Sequence, residues 1–244
     1  MSNDLVVVIG AMLSFDDKRL LEKIKESKVV LICAMEDTSF MDSVELFYQY
    51  EAGSEEGVMA ILTKEFLSEA DLPKKTKEYF NDLDEGYISA ETNIAEEEVK
   101  ELHGMLQEAS SPLIVFGKDM FLNPRVKNIS RFINLIKEHS DIEIECLGEL
   151  KKDTLHVEDI EELKSFDGTV VFEYNSARNR DLLVGSAQFA VAAKIKDGQK
   201  IVVENQNREF RLDRKLKGTI ALMASQTKED SYRFKVVKIT KREL

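Results

Sequence analysis

The chain has only two cysteines, Cys33 and Cys146, in 244 residues. Neither has a neighbour at C-x-x-C spacing, and two thiolates fall short of the four that a four-iron cluster takes. Each follows an apolar, strand-like run, so the expected state is a pair of buried thiols in a reducing cytosol and not a disulfide. Histidine is as scarce. His103, His139 and His156 stand far apart without a partner motif, the pattern of surface or helix-end residues and not of metal ligands. Long apolar runs are missing too. The longest, Leu5 to Leu13, has nine residues, against about 20 for a membrane-spanning helix, so direct membrane insertion is not expected. No basic stretch with a cleavage site opens the chain, which argues against secretion. Without such a signal, the final Lys241-Arg242-Glu243-Leu244 reads as a solvated end and not as a retention tail.

What is present is ordinary for a folded protein. The hydrophobic fraction of 43% argues against disorder, and the length suits two domains or one large one. The net charge of −12 is unevenly spread: residues 1–100 carry −13 and residues 101–244 carry +1. An acidic first half opposes nucleic-acid binding, which needs cations to neutralise phosphates. A solvated surface explains it more simply than a face for a basic partner.

The first part of the chain alternates strands and helices. Leu5 to Ile9 is a continuous apolar run ending in Gly10. Asp16 and Asp17 precede a helix with Leu20, Leu21 and Ile24 at close to helical spacing. Val29 to Ile32 is a second buried strand, which starts a βαβ unit. Helices are expected at Glu55 to Leu67, at Lys74 to Phe80 with Pro73 at its start, and after Asn93. There Asn93 and Glu96 have capping-box spacing, and Val99, Leu102 and Leu106 share a face. Leu113 to Phe116 is a strand ending in Gly117. Asn123-Pro124 suits a cap and first turn for a helix carrying Val126, Ile129, Ile133 and Ile136, and Ile142 to Cys146 is the next strand. Residues 147–168 are polar and form a connection, with one short helix expected at Val157 to Leu163. The expected domains are residues 1–150 and 165–244.

The second part has short strands between turn signals. Asp197-Gly198 is a corner, because Gly accepts positive φ and Asp bonds its own backbone. Ile201 and Val203 alternate with Val202 and Glu204. Asn205-Gln206-Asn207 suits a hairpin loop. Phe210 and Leu212 lie on one face. Gly218 opens Thr219 to Leu222, and Tyr232, Phe234 and Val236 alternate in a last strand. A small barrel or sandwich fits this spacing, and so does any other small β-domain.

Chemistry-bearing motifs are weak. Gly10 and Gly117 end strands, where open α/β sheets bind ligands, but Ile9-Gly10-Ala11-Met12 lacks G-x-G-x-x-G and nothing matches a P-loop. Glu96-Glu97-Glu98 and Glu55-Glu56 begin helices, where carboxylates complement the dipole. Arg178 and Arg180 could hold an anion, although loop arginines are usually solvated or ion-paired. No residue is assigned a catalytic, cofactor-binding or metal-binding role.

Ala192, Ala193, Ile195, Asp197, Gly198 and Ile201, followed by Leu216, Gly218 and Ile220, resemble the barrel signature of the molybdopterin oxidoreductase superfamily, with a tighter Leu216–Gly218 spacing. Tyr50 to Val58, Ser89 to Ile94, and SPLIVFGKD with NPRVKNISRFINLI resemble the C-terminal portion of the large peripheral-arm subunit of bacterial NADH-quinone oxidoreductase, which is respiratory complex I. The resemblance implies an open parallel-sheet α/β domain followed by a small double-psi-like β-barrel. It implies a chain truncated relative to that family, without the cysteine-rich iron–sulfur segments, an expectation that the strand starting close to Met1 also fits. The implied function is a non-catalytic, cofactor-free structural portion of the oxidoreductase, supporting electron transfer from NADH to quinone by assembly. Its partners would be other subunits of a membrane-associated complex. Its place would be cytoplasmic, held peripherally at the inner membrane by those partners. The alternative from the same resemblance is a molybdopterin-binding fragment of a molybdenum enzyme. A remoter one is an unrelated two-domain nucleotide-binding protein.

Overall fold

The computed structural model describes residues 3–152, 156–162, 166, 168–226 and 231–241. The chain divides into two units, Met1–Lys164 and Ser165–Leu244.

In the first unit β1 (Leu5–Ile9), β2 (Lys28–Cys33), β3 (Val44–Gln49), β4 (Pro112–Phe116) and β5 (Glu143–Cys146) form a wholly parallel sheet in the order β3-β2-β1-β4-β5. The apolar runs follow from this order. β1 is central and covered on both faces, so all five of its residues are buried, and a run without alternation is what such a strand requires. The edge strands β3 and β5 keep Glu45, Glu143 and Glu145 and are only partly buried. Neither α1 (Leu13–Asp16) nor α2 (Lys18–Ile24) is long, and Asp17 caps the second by accepting from Arg19 and Leu20 N–H. Between β3 and β4 come α3 (Glu55–Phe66), α4 (Lys74–Asp82), α5 (Glu85–Thr92) and α6 (Glu96–Glu108); α7 (Lys118–Leu122) and α8 (Val126–His139) precede β5.

Several local expectations are corrected. Asn93 does not start α6. It ends α5 in a left-handed conformation (φ 58°), a conformation Asn tolerates, and the N-cap is Ala95, whose N–H is taken by Glu98 at 2.9 Å. The capping carboxylate is therefore Glu98 and not Glu96. α8 begins at Val126, two residues after Pro124; Asn123 acts just ahead of it, accepting from Arg125 N–H at 2.7 Å. Residues 157–162 are not helical. Their backbone groups bond side chains of the first unit instead, as described below, and Leu163 lies outside the described residues. The thiols also differ from each other: Cys33 is fully buried and Cys146 only partly. No disulfide joins them. They sit on β2 and β5, three strand spacings or about 14 Å apart in the sheet, beyond disulfide reach.

In the second unit β6 (Val170–Asn175), β7 (Leu182–Gly185), α9 (Ala187–Ala192), β8 (Lys200–Val203), β9 (Gln206–Leu212), β10 (Ile220–Ser225), β11 (Phe234–Val236) and β12 (Ile239–Lys241) follow in sequence. The strands form one mixed sheet, β11-β6-β10-β7-β9-β8-β12. Its two edge strands are consecutive in the chain, separated only by Val237 and Lys238. A flat seven-stranded sheet would hold its edges about 29 Å apart, yet that link spans at most about 11 Å. The sheet must therefore curl, and it forms half a barrel. The link is tied on both sides: Val237 N–H bonds Thr169 O at 2.8 Å, and Glu204 N–H reaches Lys238 O at 3.4 Å. The core inside the curl includes Val171, Leu183, Ile201, Val203, Phe210 and Ala221, and Phe189 from α9 stacks on Phe210 with centroids 6.0 Å apart.

The hairpin turn lies one residue earlier than expected. Glu204 and Asn205 take positive φ (45° and 67°) between β8 and β9, the two-residue turn whose twist matches paired strands. Gln206 and Asn207 are already in β9.

Candidate functional site

In an open parallel sheet, the strand order reverses between β1 and β4, and their carboxyl ends mark the place where such folds bind nucleotides. Gly10 and Gly117 both stand there. Gly10 has φ +65°, and Gly117 has an ordinary φ of −80°. Gly117 is required by space: a Cβ on it would fall 2.1 Å from Gly10 O and 2.3 Å from Ala11 Cβ. The two loops continue to pair beyond the strands, with Gly117 N–H on Ile9 O at 2.7 Å and Asp119 N–H on Gly10 O at 3.1 Å. Met120 closes on Gly10 from α7, where a Cβ would meet its Cε at 2.6 Å. The gap between these loops is filled by the chain's own atoms.

The backbone donors nearby are filled as well. Met12 N–H bonds Asp16 Oδ2 at 3.0 Å, Ser14 N–H bonds Asp37 Oδ2 at 2.8 Å, and Arg19 and Leu20 N–H share Asp17 Oδ1 at 2.9 and 3.0 Å. Phosphate sites in this fold use the N–H groups of the first strand–helix turn. Here carboxylates of the same sign as a phosphate hold two of those positions, Met12 and Ser14 N–H, while Asp17 caps α2.

A second polar cluster joins α3, α8 and the 156–162 segment. Glu55 and Glu56, expected simply to complement a helix dipole, are 0% and 2% exposed. Glu55 accepts from Asn123 Nδ2 at 2.6 Å. Glu56 accepts from Arg125 Nε at 2.9 Å and from Asn128 Nδ2 at 2.7 Å. Arg125 also reaches Glu161 at 2.8 Å and Asp159 O at 3.1 Å. Asn128 clasps Glu158 twice, accepting its N–H at 2.8 Å and donating to its carbonyl at 2.9 Å. Arg131, 4% exposed, pairs with the Glu158 carboxylate at 2.8 Å. The hydrogen bond and charge of Glu56 hold Arg125 above its ordinary pKa. This cluster binds a strap of chain. The signal for it in the sequence is Arg125, Asn128 and Arg131 at i, i+3 and i+6 beside the apolar face of α8, a polar stripe at helical spacing.

That arrangement predicts the result of Arg125→Met. Glu56 would stay buried with one cation fewer, at a cost of about 2 kcal/mol, reduced from the fully buried case because Arg125 is itself partly exposed. Hydrogen exchange at Glu158 and Glu161 should accelerate well beyond that at Val6 to Val8. Equal acceleration in both places would show that the strap is held by something else.

The other candidate residues are scattered. His103 is not a surface or end residue: it lies within α6, with Nδ1 3.2 Å from Glu65 Oε1. His139 ends α8 and His156 is exposed. Glu96 and Glu97 line the first turn of α6, where Glu96 pairs with Lys100 one turn on at 3.7 Å. Arg180 Nε donates to Ser176 O at 2.8 Å, and Arg178 N–H bonds Ser176 Oγ at 3.1 Å, so this loop is organised by its own backbone. Among the described residues, no group of three or more His, Cys, Asp or Glu side chains is placed to hold a metal ion, and no helix is long and apolar enough to cross a membrane.

The residues of the barrel-like signature stand at turns and in the core of the second unit. Asp197 Oδ1 accepts Leu212 N–H at 2.9 Å, Gly198 turns with φ +74° and bonds Phe210 O at 2.9 Å, and Ile195 and Ile201 enter the core. Gly218, at φ +75°, is held by Gln188 and Ser186, whose side chains bond its N–H and carbonyl. Sequence periodicity does not reveal Arg208, a buried cation of this unit, which is 3% exposed. Its Nη1 donates to the carbonyls of Arg180, Leu182 and Ala224 at 2.7, 3.0 and 3.0 Å, and its Nη2 to Gln206 Oε1 at 3.0 Å.

No family model matches the chain, and no curated protein matches it.

Proposed function

We propose that this chain is a structural, cofactor-free portion of the large peripheral-arm subunit of an NADH-quinone oxidoreductase. It would support electron transfer by holding sister subunits in place, bound peripherally at the inner membrane through them. The observation that carries the cofactor-free part is the strand-end turn, where Asp16 and Asp37 accept from Met12 and Ser14 N–H, donors that a dinucleotide phosphate would take. The proposed double-psi topology of the second unit rests on the resemblance, together with a curled sheet that pairs β6 with β10 and β7 with β9 in parallel.

Two measurements test the reading. The purified chain should carry no stoichiometric molybdenum, tungsten or pterin; finding any of them favours the molybdopterin-binding alternative and defeats the cofactor-free reading. A tagged chain in its native host should migrate on native gels with an NADH-oxidising, quinone-reducing assembly. If it migrates apart from that activity, the assembly reading fails.

A further inference from the structure

A cavity of about 250 Å³ opens where the end of α4, the start of α5 and the 156–162 strap meet. Asp82, Asp84 and Asp159 stand on its walls, and none of its lining residues is a cation. Its remaining walls are apolar or aromatic and include Ile160, Tyr79 and Tyr87. Tyr87 is 44% exposed. Tyr79 Oη is buried and has no hydrogen-bond partner among the described residues. Burial, and then the charges of Glu56 and Asp159, push its pKa up against the opposing charge of Arg125. Part of this negative surface is already in use: one oxygen of Asp84 caps α5 through Tyr87 N–H at 3.0 Å.

We infer that this cavity receives an arginine side chain presented by a partner polypeptide. Carboxylates on the walls match its charge, and the exposed ring offers a face on which a planar guanidinium stacks. Aliphatic floor residues suit its methylene stem. A hydrated metal ion would gain nothing from the ring and the isoleucines, and lysine would gain less from the ring because its ammonium is compact and strongly hydrated. The inference goes beyond the proposed function and does not depend on it, since it concerns the isolated chain.

The test is a titration of the isotope-labelled chain with acetyl-Gly-Arg-Gly-amide, followed by amide NMR. Saturable shifts confined to Asp82–Ile88 and to Asp159 and Ile160 are expected. The Asp82→Asn/Asp159→Asn pair, both at exposed positions, should weaken binding roughly tenfold while leaving the rest of the spectrum unchanged. Tyr87→Ala should remove the preference for the Arg peptide over acetyl-Gly-Lys-Gly-amide. The inference is overturned if the corresponding Gln peptide or calcium shifts the same amides equally, if no shift saturates, or if the double variant binds as well as the parent. Failure of this titration leaves the migration and cofactor measurements unaffected.

Discussion

Gly117→Val should be the most damaging single change in the first unit. The substituted Cβ would enter space held by Gly10 O and the Ala11 backbone, 2.1 and 2.4 Å away. These are main-chain atoms at the centre of the sheet and cannot swing aside. β1 and β4 would have to separate at their carboxyl ends, breaking the Gly117–Ile9 and Asp119–Gly10 bonds. Overpacking usually costs about 1–3 kcal/mol, and a clash with backbone atoms belongs at or above the upper end. The measurement is hydrogen exchange at Val7 to Ile9, which should accelerate by roughly a hundredfold or more. Gly10→Ala gives the contrast. Its positive φ costs about 1–2 kcal/mol, but the atom it meets, Met120 Cε, ends a flexible side chain. Gly104→Ala is the control, because nothing lies within 4 Å of its added Cβ and a helix interior favours Ala by about 0.5–1 kcal/mol. If Gly117→Val proves as mild as Gly10→Ala, the close approach of the two loops is not what holds this sheet end.

Arg208→Ala should have a comparable effect on the second unit. Three carbonyls, from Arg180 just before β7, Leu182 at its start and Ala224 in β10, share one guanidinium in the interior. Removing it leaves those acceptors without their donor and leaves a void where the side chain lay. A lost buried, charge-assisted network of this kind costs about 3–5 kcal/mol. The whole stability of a domain is about 5–15 kcal/mol. The expected result is loss of protection at Val171, Phe172 and Leu183, with a substantial fraction of the unit unfolded at ambient temperature. Burial lowers the pKa of Arg208. Arg208→Lys should recover only part of the loss, since an ammonium cannot reproduce the fork that reaches several carbonyls. Full recovery with Lys would mean that charge, and not the pattern of donors, is what matters.

Elements built from uninterrupted patterns were legible in the chain. Leu5–Ile9, Val29–Ile32 and Leu113–Phe116 read as strands because central parallel strands are apolar on both faces. The positions of α2, α3, α6 and α8 were legible from their apolar stripes. Elements with mixed composition were not. β3 mixes Glu45, Phe47 and Gln49 at a sheet edge, α5 carries Tyr87 outward, and β12 is three residues long. Asn93 shows how a local motif misleads. Its side chain can cap either neighbouring helix, and the choice was made when Asn93 took up the left-handed turn after α5 and donated to Gln49 O at 2.8 Å.

Short-range physics was enough to establish the class of this protein from its residues alone: an α/β region with a buried parallel sheet, then a strand-rich region with turns at Gly198 and Gly218. Period, apolar content and backbone preference act over a few residues, and the sequence displays them directly. Tertiary structure alone decided the strand order, the contact between Gly10 and Gly117, the curl imposed by a two-residue link between opposite sheet edges, and the convergence of Glu56, Arg125 and Glu161. Each joins residues from about 20 to more than 100 positions apart. Their proximity depends on how whole elements pack, which no window of sequence contains.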